Sequence, residues 1–132
     1  MNRHNKPLVF VVEDDSFFLE ILKSKLSNNE KYNLIGFDSA EACLKKWYKN
    51  PDVIVLDYNL DKDNPKAING IEAIQKIKEK LPLTKVIMLS GQNSFEVASK
   101  IMELGVYDYV IKDTNAFKIL SSKILNALFI NS

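Results

Sequence analysis

Short apolar runs alternate with longer amphipathic ones along the chain. Five runs have strand character: Leu8–Val12, Tyr32–Phe37, Val53–Leu56, Val86–Leu89 and Tyr107–Ile111. Four of them are nearly continuous and rich in Val and Ile, the pattern of parallel strands covered on both faces. Tyr32–Phe37 is interrupted by Asn33 and Gly36 and reads as an edge strand. Between the runs, apolar residues recur at helical spacing: Phe18, Ile21, Leu22 and Leu26, then Ala40, Leu44, Trp47 and Tyr48, then Ile71, Ile74, Ile77 and Leu81. Val97, Ile101 and Leu104 make a fourth stripe, and Phe117, Leu120, Ile124 and Leu128 a fifth. Such stripes pack into a core. Ser39, Asn69, Asn93 and Thr114 stand where N-caps bond orphan amides, Asn93 with Glu96 in a capping-box arrangement, and Gly105 supplies a helix stop. Strand and helix alternating five times predict an α/β fold, a mainly parallel sheet with helices on both faces.

A length of 132 residues fits one domain, and 46% hydrophobic with 27% charged residues is the composition of a globular protein with a core. The 18 basic and 17 acidic residues leave a formal charge of +1, which gives no electrostatic reason to expect direct contact with nucleic acid or an anionic membrane. Cys43 is the single cysteine, so packing alone must hold the domain. Residues 1–6 form a polar tail leading into an apolar run too short for a signal peptide or a membrane span, and a cytoplasmic location is expected.

In open parallel sheets ligands bind outside the carboxyl ends of the strands. Glu13, Asp14 and Asp15 follow the first strand, Asp57 ends the third, Ser90 and Gly91 the fourth, and Lys112 the fifth. Any one of these alone is ordinary, and Asp15 reads as a helix cap. Together they gather three carboxylates, Glu13, Asp14 and Asp57, with one ammonium. Two like charges 4 Å apart repel by about 4 kcal/mol at an effective dielectric near 20, so a divalent cation or a proton must offset them. Mg²⁺ prefers such oxygen ligands and leaves positions for phosphate oxygens, and a carboxylate can then act as nucleophile toward a phosphoryl group.

These segments resemble the receiver domain of two-component response regulators. Val11-Val12-Glu13-Asp14-Asp15, Val53-Ile54-Val55-Leu56-Asp57, Ile87-Met88-Leu89-Ser90-Gly91 and Tyr107-Asp108-Tyr109-Val110-Ile111-Lys112 carry the likeness, which covers about residues 7–128 of a single domain spanning 1–132. The resemblance implies a doubly wound (βα)5, flavodoxin-like three-layer sandwich with strand order 2-1-3-4-5. It implies Asp57 as phosphoacceptor and Mg²⁺ (or Mn²⁺) held by Asp14, Asp57 and the backbone carbonyl of Asn59, with Glu13 acting through water. Lys112 would contact the phosphoryl group, Ser90 would reorient toward it, Tyr109 would change rotamer, and Asn59 and Gln92 would tune hydrolysis. The implied donor is a sensor histidine kinase or a histidine phosphotransfer protein. The implied recipient is a downstream target or an attached output domain, with a homodimer through the fourth helix, fifth strand and fifth helix also compatible. Such a chain is a switch that catalyses only its own phosphorylation and dephosphorylation, not an enzyme.

Two departures from the family pattern stand out. Asp113 follows Lys112 where the family has proline. A cis bond before a non-proline residue costs about 2.5–4 kcal/mol, so a trans junction is expected. The connection Tyr58–Asn69 is longer than usual and rich in charge. Phe17 and Phe18 open the first helix beside the acidic cluster, one expected to pack inward and the other to remain available to a partner. Rival chemistries fit less well. A haloacid-dehalogenase-type hydrolase needs a second acid where Asn59 stands, a flavin phosphate would be repelled by Glu13-Asp14-Asp15, and a calcium loop starting at Asp57 fails at Lys62 and Ile68. A receiver-like interaction module that is never phosphorylated is the remaining alternative, and it has no need of Glu13, Asp14, Asp57, Ser90 and Lys112.

Overall fold

The structure, a computed structural model, describes residues 6–27, 30–58, 69–91 and 95–130. Strands β1 (Leu8–Val12), β2 (Asn33–Phe37), β3 (Val53–Asp57), β4 (Lys85–Ser90) and β5 (Asp108–Ile111) alternate with helices. These are α1 (Ser16–Leu26), α2 (Ala40–Lys45), α3 (Gly70–Lys80), α4 (Phe95–Met102) and α5 (Ala116–Phe129). The five strands form one parallel sheet in the order β2-β1-β3-β4-β5. Tyr32–Phe37 therefore lies at an edge, as its mixed composition suggests, and β5 forms the other edge.

The continuous apolar runs are explained by two cores, one on each face. Val9, Val11, Val53, Val55, Ile87 and Leu89 point toward Leu22, Leu26, Leu120 and Ile124 of α1 and α5. The alternate residues Phe10, Val12, Ile54, Leu56, Val86 and Met88 point toward Cys43, Ile74, Ile77 and Ile101 of α2, α3 and α4. A period-two side-chain alternation with both faces covered demands an apolar residue at every position.

The helix ends follow local chemistry. Asp15 caps α1, its carboxylate accepting from the Phe17 and Phe18 amides at 3.0 and 3.1 Å. Ser39 caps α2 through the Ala42 amide. Asn69 and Glu72 form a reciprocal capping box at α3. Gly105 takes a φ of +90°, the left-handed conformation that ends the turn after α4. Asn93 and its pairing with Glu96 lie outside the described residues.

Two sequence expectations are corrected. Thr114 is not the cap of α5: the Asp113 carboxylate accepts from the Asn115 amide at 2.9 Å, and the helix begins only at Ala116. The stripe through Trp47 and Tyr48 does not pack inward. Helix α2 stops at Lys45, a tighter turn follows over Trp47–Lys49, and both rings are exposed beside Lys80, Lys46 and Lys49. Cys43 takes the buried place on that helix, 1% exposed, and burial pushes its thiol up to about 12. Because the thiolate is the reactive form, a thiol reagent at pH 8 should leave the native protein untouched and label one cysteine per chain in denaturant. Labelling of the native state at the denatured rate would contradict this packing. Among the described residues no helix is long and apolar enough to cross a membrane.

Candidate functional site

The strand order reverses between β1 and β3, so a crevice opens beyond their carboxyl ends. Val12 is paired with Leu56, which sets the next residues, Glu13 and Asp57, side by side. Both side chains are buried, at 1% and 2% exposure, while Asp14 is half-buried. The Glu13 amide donates to the Phe37 carbonyl at 3.0 Å, and Glu13 Oε2 accepts from the Asp15 amide at 3.1 Å, which fixes the turn from β1 into α1. One carboxylate oxygen from each of Glu13, Asp14 and Asp57 lies within 4.8 Å of the others.

Lys112 reaches this cluster from the end of β5. Its amide donates to the Ser90 carbonyl at 2.8 Å, and its ammonium stands 3.1 Å from Asp57 Oδ1 and 3.2 Å from Glu13 Oε1. No peptide bond of the described residues is cis, as expected for a lysine followed by Asp113. Burial, and then the charge of Asp57, push the Glu13 carboxyl up to about 7 against the opposing pull of Lys112. Burial works to lower the Lys112 ammonium, but the charges of Asp57 and Glu13 outweigh it and hold it above the usual lysine range.

One ammonium against three carboxylates leaves negative charge uncompensated. Glu13 Oε1, although buried, makes no aligned hydrogen bond among the described residues. The donors are all oxygen, and one of them is open to solvent at Asp14. This set fits a hard divalent cation that keeps water among its ligands.

Ser90 is fully buried at the end of β4, opposite Ile111, and a side chain built at the neighbouring Gly91 would meet nothing within 4 Å among the described residues. Tyr109, paired with Met88, is half-buried against the core shared with α4. Asn59 and Gln92 lie outside the described residues. Phe17 is 75% exposed, whereas Phe18 packs inward, as the doubled phenylalanine suggests. Sequence reasoning missed where Phe18 goes: its ring lies 4.9 Å from the Lys112 ammonium and 5.9 Å from the ring of Phe117. It also missed the ion pair of 2.8 Å between Lys123 and Asp108, which ties α5 to β5. A phenylalanine one turn into the helix that follows an acidic cluster is the signal that was available.

Between Tyr58 and Asn69 the chain runs outside the described residues, but its two ends meet at a neck. A Cβ on Gly70 would stand 2.6 Å from the Tyr58 carbonyl oxygen, 3.0 Å from Tyr58 Cα and 3.1 Å from Met88 Cε. Backbone cannot yield as a flexible side chain does. Gly70→Ala should therefore cost about 1–3 kcal/mol in urea unfolding although alanine favours helices, and an unchanged midpoint would refute the close approach.

Comparison with known proteins adds a family. The family model described as response regulator receiver domain matches residues 9–123. The chain is 27% identical over 114 residues to the transcriptional regulatory protein DegU of Brevibacillus brevis, covering 85% of this chain and 46% of that protein. It is 34% identical over 108 residues to a protein-glutamate methylesterase/protein-glutamine glutaminase of Thermotoga maritima, covering 79% of this chain and 30% of that one. The chain thus spans less than half the length of these two relatives. Among solved structures, the BeF3-activated receiver domain of DrrB from Thermotoga maritima superposes with a TM-score of 0.79 at 31% identity, over 93% of this chain and 97% of that one.

Proposed function

The chain belongs to the response regulator receiver domain family, and from that premise we propose that it accepts a phosphoryl group on Asp57 in a Mg²⁺- or Mn²⁺-dependent reaction. The observation that carries this is the cluster itself: three carboxylates with oxygens within 4.8 Å of one another, and the Lys112 ammonium 3.1 Å from Asp57. A carboxylate oxygen of Asp57 attacks phosphorus, the bond from phosphorus to the donor breaks, and the donor departs with the electron pair as imidazole or, from acetyl phosphate, as acetate. Asp14, Asp57 and the Asn59 carbonyl would hold the cation, with Glu13 acting through water. A bound cation would offset negative charge on the transferring oxygens. Lys112 orients the phosphoryl group and neutralises charge beside it. Ser90, buried at the end of β4, turns its hydroxyl toward the phosphoryl group, Tyr109 follows the change at β5, and Asn59 and Gln92 set how long the phosphoryl group survives.

Receiver domains work with histidine kinases and output domains. On this reading residues 1–132 form one such domain, cytoplasmic because a phosphohistidine kinase or phosphotransfer partner is its donor. It is a switch and not an enzyme acting on a separate substrate. Its output surface is α4, β5 and α5, where Phe95, Met102 and Ile119 are exposed and suited to a target, an output domain or a second copy. Phosphorylation acts as a shift between two conformations of that surface.

Intact-mass spectrometry after incubation with Mg²⁺ and acetyl phosphate tests this. The expected result is a gain of one phosphoryl mass, located on the peptide carrying Asp57 and abolished by a chelator. Absence of both an adduct and Mg²⁺ or beryllofluoride binding would instead favour an interaction module that works without phosphorylation.

A further inference from the structure

The Lys112 side chain is about a quarter exposed, and its ammonium has two kinds of neighbour. Asp57 and Glu13 lie at 3.1 and 3.2 Å, and the Phe18 ring centroid lies at 4.9 Å. The ring is itself held. The Asp15 carboxylate accepts from the Phe18 amide, and Phe117 lies against the ring at an interplanar angle of 35°. A divalent cation at the carboxylates repels a nearby ammonium and competes for the oxygens that attract it. Lysine carries its charge on a flexible four-carbon stem, so nothing in the stem keeps it in place. An aromatic face attracts an ammonium without offering the metal a ligand.

We propose that the Phe18 ring is the seat that keeps the Lys112 ammonium at the pocket when a divalent cation takes the carboxylates. Phe18 is thereby a positioning residue for phosphoryl acceptance, an inference that rests on the acceptor role of Asp57. The ring supplies no proton and touches no reacting atom. It acts through Lys112.

Nuclear magnetic resonance of the Lys112 ε-methylene protons reads the seat directly, because an aromatic face shifts protons above it upfield. In the wild type that shift should persist through a titration to saturating Mg²⁺. In Phe18→Leu, which keeps bulk and loses the ring face, the resonance should move to the position of free lysine once Mg²⁺ saturates. Phosphoryl uptake from acetyl phosphate at saturating Mg²⁺ should then slow about fivefold, while the variant stays folded with only a modestly lower urea midpoint from the lost packing on Phe117. Phe18→Trp should restore both the shift and the rate. Loss of the upfield shift in wild type on adding Mg²⁺ would overturn the proposal, and so would Phe18→Leu reacting at the wild-type rate. The wild-type titration needs neither variant nor phosphodonor, so it decides the seat even if the absence of a wild-type adduct removes the acceptor reading.

Discussion

An Asp57→Asn variant gains no phosphoryl mass from acetyl phosphate in Mg²⁺, and without divalent cation it unfolds at higher urea than the wild type. The first effect is a loss to background, because an amide at this position has no anionic oxygen to attack phosphorus. The second follows from the charges. Asp57 is 2% exposed, pays the cost of leaving water, and repels the buried Glu13 and the nearby Asp14. Its attraction to Lys112 offsets one of these repulsions, but Lys112 retains Glu13 in the variant. Relief of the remaining repulsion and desolvation should stabilise the cation-free protein by about 1–2 kcal/mol. Saturating Mg²⁺ should erase that gain, since the wild type then binds a ligand that its unfolded chain does not. An adduct on Asp57→Asn would sink the acceptor assignment, and a destabilised variant would show that Lys112 outweighs the repulsions.

The largest loss of stability is expected at the centre of the sheet. Ile54 lies in the middle strand, paired with Phe10 on one side and Val86 on the other, with no exposed surface. Truncation to alanine removes three carbons where neighbouring strands cannot close in, and should cost about 3 kcal/mol. Domains of this size have only about 5–15 kcal/mol in total, so the variant should unfold at a visibly lower urea concentration. Leu83, 94% exposed at the turn before β4, is the control: alanine there should change stability by less than about 0.5 kcal/mol. Equal effects at the two sites would refute the two-faced core.

The fold was legible because parallel strands covered on both faces cannot hide. Val53–Leu56 and Val86–Leu89 have no polar position on either face, and only a sheet with helices above and below accommodates that. The acidic cluster was legible because its members all sit at the carboxyl ends of strands, a place fixed by topology once the strands are found. What remained hidden depends on side-chain reach or on competition within one turn. The pattern of Trp47 and Tyr48 is helical, but the chain tightens after Lys45 and turns both rings outward. Thr114 and Asp113 can both bond the amides that follow them, and sequence does not say that Asp113 takes the Asn115 amide while the cap position falls on Asn115 with no side-chain bond. The contact of Phe18 with Lys112 spans 94 positions and comes from α1 and α5 packing side by side on one face of the sheet, which periodicity does not encode.

The neck at Tyr58 and Gly70 has a consequence for how the molecule can vary. The chain leaves the fold and re-enters it at nearly the same point, so the intervening length enters the free energy of folding only through a logarithm. Doubling it would cost about 0.6 kcal/mol, less than a single poorly chosen core residue. Beyond Asn59, natural selection can therefore lengthen, shorten or rewrite this connection while the sheet and its two cores stay as they are. Engineers can do the same: a peptide tag or a reporter inserted beyond Asn59 should leave the two cores intact.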